Sequence, residues 1–137
     1  MFTRESYRVI FDDYAERHFI KEFEKKYKSA WLTTRRAIEG KLRNVDMLLN
    51  SGRLRNPPIH MSRDRRNWIL KHEFAIAGLR ESPHGSGRRI IAFVNENEKL
   101  VRVLLVYHKS HVHGGNETAW WERVVREEFG ELVDIIA

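Results

Sequence analysis

Two apolar runs, Ile90 to Val94 and Leu100 to Tyr107, flank five polar residues from Asn95 to Lys99, and this stretch constrains the fold of the chain more than any other. Runs this short and this rich in Ile, Val, Leu and Phe suit strands rather than helices. Joined by a brief polar turn, they predict a β-hairpin. A hairpin brings its two ends together, so Arg88 and Arg89 should lie beside Tyr107, His108 and Lys109. The result is a cationic, titratable cluster at one edge of a sheet, suited to phosphate. Along a regular strand Tyr107 and Lys109 share one face and His108 takes the other.

The remaining pattern surrounds that hairpin with helices. Ser6 to Phe11 reads as an opening strand. Asp13 and Glu16 resemble a capping box, and Tyr14, Phe19, Ile20, Phe23 and Tyr27 recur at helical spacing. A second helix begins near Ser29, with Trp31, Ile38, Leu42, Val45 and Leu49 in one stripe and Gly52 as a stop. Residues 52–66 form a basic loop containing Pro57 and Pro58, and Asn67 to Ile76 returns to strand-like composition. Pro83 to Gly87 turns the chain into the hairpin. After a break at Gly114-Gly115-Asn116, Asn116 or Thr118 caps a last helix with Trp121, Val124, Val125, Leu132 and Ile136 on its apolar face. The expected fold is α+β: a small twisted, mostly antiparallel sheet (strand, two helices, three strands) with an additional C-terminal helix.

With 137 residues the chain supports one domain over 1–137, in which 114–137 is a helical extension. It has no cysteine, which excludes disulfides and thiolate metal sites. The first residues lack the apolar segment of a signal peptide and no apolar run reaches membrane-spanning length, so a cytoplasmic protein without a membrane partner is expected. The net charge of +6 conceals a strong asymmetry. Residues 28–89 hold 14 Lys/Arg against 5 Asp/Glu, whereas residues 110–137 hold 2 against 6. A basic centre attracts RNA, DNA or an acidic protein through long-range charge and counterion release. Arg53, Arg55, Arg63, Arg65, Arg66 and Arg88 are the candidates for tracking a nucleic-acid backbone.

Three segments carry a family resemblance: Phe74-Ala75-Ile76-Ala77-Gly78-Leu79-Arg80, then Gly87-Arg88-Arg89-Ile90-Ile91-Ala92-Phe93-Val94, then Leu104-Leu105-Val106-Tyr107-His108-Lys109. With the element order above, they resemble the RelE/ParE superfamily of toxins from bacterial toxin–antitoxin modules, over roughly residues 7–113. The resemblance implies two N-terminal helices packed on a sheet with a concave basic face. It further implies a metal-independent endoribonuclease acting on ribosome-bound messenger RNA, with ribosomal RNA and a cognate antitoxin as partners and no cofactor. The alternatives are a ParE-like inhibitor of DNA gyrase, which cuts nothing, and a nucleic-acid-binding domain of the same fold. Ile76 and Gly78 stand where the best-known ribonuclease members carry lysines, which favours the binding readings.

Metal-free RNA cleavage needs the 2′-hydroxyl aligned with phosphorus, a proton acceptor, a proton donor and stabilisation of the added charge. Arg89 matches the family's hairpin arginine and suits bidentate phosphate binding. Arg80 follows the family's Leu-Arg and suits a flanking phosphate. His108 exchanges a proton near neutral pH, Tyr107 orients the hydroxyl or stacks on a base, and Lys109 neutralises the phosphorane. These five residues are the candidate catalytic set. His108, His111 and His113 have a metal-like spacing but no acidic or cysteine ligand near them in sequence, so no metal site is assigned.

Overall fold

The computed structural model describes residues 6–47, 59–112 and 115–136. Strand β1 (Arg8–Phe11) leads into α1 (Asp13–Ala15), which continues through a π-helical turn (Glu16–Ile20) into α2 (Lys21–Tyr27). Asp12 caps the start, its carboxylate accepting the Tyr14 N–H at 2.9 Å. Lys28, at φ 50°, reverses the path directly into α3 (Ser29–Arg43), which gives the expected pair of helices, although α3 breaks at Asn44 (φ −108°, ψ 36°) instead of running unbroken towards Gly52; Leu49 and Gly52 lie outside the described residues. Arg35 of α3 reaches back to Glu16 at 2.5 Å and lies over the Phe11 ring, fastening this layer to β1.

The sheet has five strands in the order β1-β5-β4-β3-β2, with β2 (His60–Met61), β3 (Asn67–Phe74), β4 (Arg88–Asn95) and β5 (Leu100–His108). β1 runs parallel to β5 and every other pair is antiparallel. The α+β class and the C-terminal helical element are as the sequence implied. The short β2 is an addition, lying where the sequence suggested only loop. Near the C-terminus the expected single helix is broken. α4 (Glu117–Glu128) ends at buried Phe129, whose φ of −129° and ψ of 58° leave the helical region. A 3-10 turn (Gly130–Leu132) then leads to α5 (Val133–Ile136).

Side-chain alternation divides the sheet into two faces. Phe74 points to Phe23 and Trp31 of the first helical layer. Tyr107 and Arg102 point the other way, to Trp120 and Phe129 of the C-terminal layer. Tyr107 and Arg102 share a face despite their odd spacing because β5 carries a bulge. Ile91 pairs with Leu105 but Ala92 with Val103, so Leu104 is the extra residue that resets the alternation. Helices therefore cover both faces, and β4 and the central part of β5 are almost wholly buried. Trp121, Val125, Phe129, Leu132 and Ile136 all belong to this core.

Candidate functional site

The hairpin closes as its sequence requires: Arg88 pairs with His108 and Arg89 with Tyr107. Ser86 aims this end. Its hydroxyl accepts the Arg88 N–H at 3.0 Å and lies 2.6 Å from the Phe74 carbonyl oxygen, its acceptor, so the entering turn is tied to the end of β3. Gly87 is required at the next position. It sits at φ +75°, and a Cβ there would come within 3.1 Å of His108 Nε2 and of the Lys109 side chain. Because neighbours on a strand face opposite ways, the two cross-strand pairs separate into two distinct environments.

Arg88 and His108 face α2 and help line a pocket of about 160 Å³ with Glu22, Phe23, Lys26, Tyr27, Ser110 and His111. The Arg88 guanidinium is held by Glu81 and by the Tyr27 hydroxyl, the latter at 2.6 Å, so its charge is fixed in position but partly neutralised. His108 ends β5 and caps the following 3-10 turn, Lys109–His111. Its Nδ1 accepts the Ser110 N–H at 3.0 Å, which puts the proton of the neutral ring on Nε2. Burial holds its pKa below the ordinary histidine value, and Arg88 and His111 add to the depression. His111 turns its Nε2 to Glu22 Oε2 at 3.1 Å, while its Nδ1 lies 2.9 Å from the His108 amide nitrogen and 3.1 Å from the His108 carbonyl oxygen.

Arg89 and Tyr107 lie on the other face, under α4. Tyr107 is fully buried and its ring meets Trp120 at 5.0 Å. Burial, and then the nearby Glu117 carboxylate, drive its phenol far above the ordinary tyrosine value. Glu117 reaches Arg89 Nε at 3.7 Å and Lys71 Nζ at 3.8 Å. A catalytic role at an open cleft therefore does not fit Arg89 and Tyr107 as they stand. Their proximity follows from the hairpin, but the C-terminal helix closes over them.

The other expected residues are dispersed. Lys109 has left the strand and is exposed in the 3-10 turn, so it does not share a face with Tyr107 as regular alternation predicted. Arg80 is exposed beside Glu81, the partner of Arg88. Arg63, Arg65 and Arg66 are exposed in the β2–β3 turn, where Arg66 donates to Asn97 Oδ1 at 3.1 Å. That turn adjoins the Asn95 end of β4, seven positions along β3 from the Phe74–Arg88 pair, or roughly 20 Å at strand rise. The basic turn and the hairpin cluster thus occupy opposite ends of the sheet. Arg53, Arg55 and His113 lie outside the described residues. A single strand of RNA bound along the basic turn should lose about 0.7 units of log–log salt slope for each phosphate contact removed. Substituting Arg63 and Arg65 by Ser and titrating binding against salt checks this, and an unchanged slope rules the turn out.

Sequence reasoning missed Glu22, Lys26, Lys71 and Glu117. Each sits on an amphipathic element whose charged positions look alike until the register of helix against sheet is known. Among the described residues no group of three or more His, Cys, Asp or Glu is arranged to hold a metal ion, and no helix is long and apolar enough to cross a membrane. No family model, curated protein or solved structure matches this chain.

Proposed function

We propose that this chain is a RelE/ParE-like toxin that cleaves RNA on the ribosome, with the pocket between α2 and the end of the hairpin as its site. The observation that carries this reading is the Glu22–His111 pair beside Lys26 and Arg88, over an aromatic floor of Phe23 and Tyr27. A carboxylate and an imidazole are the proton acceptor and donor that the reaction needs, and the cations suit the phosphoryl oxygens. The helical pair inserted between β1 and its parallel partner β5 supports the same assignment, since it reproduces the element order on which the resemblance rests.

The chemistry follows from the geometry. The Glu22 side chain is 69% exposed and free to rotate from His111 as a phosphodiester enters. Glu22 takes the proton of the 2′-hydroxyl as that oxygen attacks phosphorus. His111, as imidazolium, gives its Nε2 proton to the departing 5′-oxygen. In the neutral ring Nδ1 accepts the His108 N–H at 2.9 Å, so forming the imidazolium exchanges that bond for one donated by Nδ1 to the His108 carbonyl oxygen, 3.1 Å away. Lys26 and Arg88 stabilise the added charge, and the half-buried Tyr27 ring receives a base. The products are a 2′,3′-cyclic phosphate and a 5′-hydroxyl end.

On this mechanism Glu22→Gln and His111→Gln each lower message cleavage on purified ribosomes by about 10²–10⁴-fold. Cleavage by both variants at the wild-type rate would falsify the assignment. The burial of Arg89 and Tyr107 favours a second reading, the ParE-like gyrase inhibitor. On that reading wild type leaves messages intact while inhibiting DNA supercoiling. An antitoxin that covers the pocket should suppress either activity.

A further inference from the structure

We propose that Lys71 and Arg89 form a phosphate site on the sheet face under α4, and that Glu117 occupies it as an internal plug. The two cations come from adjacent strands and point to the same side of the sheet as Tyr107, with which Arg89 is paired across β4 and β5; Glu73, paired with Arg89 across β3 and β4, shares that face, its carboxylate 2.7 Å from His84 Nδ1. Arg89 is 7% exposed, yet its Nε has no hydrogen-bond partner among the described residues. Buried polar groups are ordinarily satisfied, so this nitrogen marks a place where an acceptor belongs.

Glu117 fills that place poorly. Its carboxylate stands 3.7 Å from Arg89 Nε and 3.8 Å from Lys71 Nζ, beyond the roughly 2.7–2.9 Å of a charge-assisted hydrogen bond. It also lies close enough to Tyr107 to raise the phenol's pKa. A tetrahedral phosphate offers more acceptor oxygens than a carboxylate and can meet an ammonium, a guanidinium and a phenol together. The anion that best matches this donor set is therefore a phosphate, whether free or part of an RNA backbone.

Entry does not require α4 to leave the core. Gly115, at φ +87°, precedes the helix, and Asn116 caps it by accepting the Ala119 N–H at 3.0 Å. Glu117 stands in the first turn, before the deeply buried Trp121 and Val125. Rotation of one side chain, or fraying of one turn, exposes the cations while the rest of the helix stays anchored. Glu117 thus acts as an autoinhibitory contact that a stronger anion displaces. This site goes beyond the cleavage reading and does not rest on it, since its residues lie on the opposite face from Glu22 and His111.

The experiment is calorimetric titration of the full chain with inorganic phosphate, for wild type and Glu117→Gln. Removing the competing carboxylate should tighten phosphate binding by about tenfold or more, within the range of ordinary coupling between ligands. Adding Arg89→Met or Lys71→Met to Glu117→Gln should abolish the gain, with folding of each variant verified by its melting transition. Competition by a short single-stranded RNA identifies the backbone phosphodiester as the ligand, and phosphate binding without competition identifies the free anion. Equal affinities in wild type and Glu117→Gln overturn the proposal, as does a gain that survives the loss of either cation. Glu22→Gln, which should stop cleavage, leaves phosphate binding at this site unchanged.

Discussion

Trp121→Ala is expected to lower the unfolding free energy by about 4 kcal/mol, within the usual cost of deleting a buried aromatic side chain. Trp121 has no exposed surface, packs edge-on to His60 at 5.9 Å, and begins the α4 stripe that Val125 continues. Its indole N–H has no hydrogen-bond partner among the described residues, so the loss is one of packing. Small domains have a net stability of about 5–15 kcal/mol, and a change of this size leaves the chain marginal. Denaturant unfolding of wild type and Trp121→Ala measures it. A loss under about 1 kcal/mol would mean that α4 rests on the sheet without being part of the core. The same argument predicts that removing residues 116–137 yields insoluble protein, because Val125, Phe129, Leu132 and Ile136 are lost together. Glu117→Gln, by contrast, leaves this stripe untouched.

The distinction between packed and plugging residues of one helix marks where sequence reasoning stopped. Periodicity was enough to locate α3, α4 and the hairpin, because Trp31, Ile38 and Leu42, like Trp121 and Val125, repeat at the spacing that buries one face. The pairing of Arg88 with His108 and of Arg89 with Tyr107 followed from the short turn alone. Which face each pair addresses did not follow. That depends on the helices crossing each side of the sheet, and the acidic composition of residues 117–134 reads equally well as a solvated surface. The β5 bulge was also hidden, since the unbroken apolar run through Val103, Leu104 and Leu105 gives no sign of which residue is extra. The covered Arg89–Tyr107 pair and the open Glu22–His111 pair are consequences of those long-range choices, and so is the separation of Arg63, Arg65 and Arg66 from the hairpin cluster.

The largest pH effect should come from His72, a residue with no part in either site. It points to the α3 side of β3, its Nε2 is buried without a hydrogen-bond partner, and Lys41 lies close enough to repel added charge. Burial first, and then Lys41, depress its pKa to about 4, against the smaller opposing pull of Glu73. In the unfolded chain the same ring takes up a proton near pH 6.5. Between about pH 6.5 and 4 the unfolded state therefore binds the proton and the folded state does not, so stability falls as the pH is lowered through that window and levels off below it. The total is about 3 kcal/mol for a depression of this size. His72→Leu removes this contribution while leaving the carboxylates to titrate as before. Urea unfolding at about pH 7 and about pH 4.5 should show wild type losing about 2–3 kcal/mol more than His72→Leu over that interval. Equal losses in the two proteins would mean that the ring reaches water or an acceptor in the folded state, and that the packing of β3 against α3 is looser than the buried nitrogen implies.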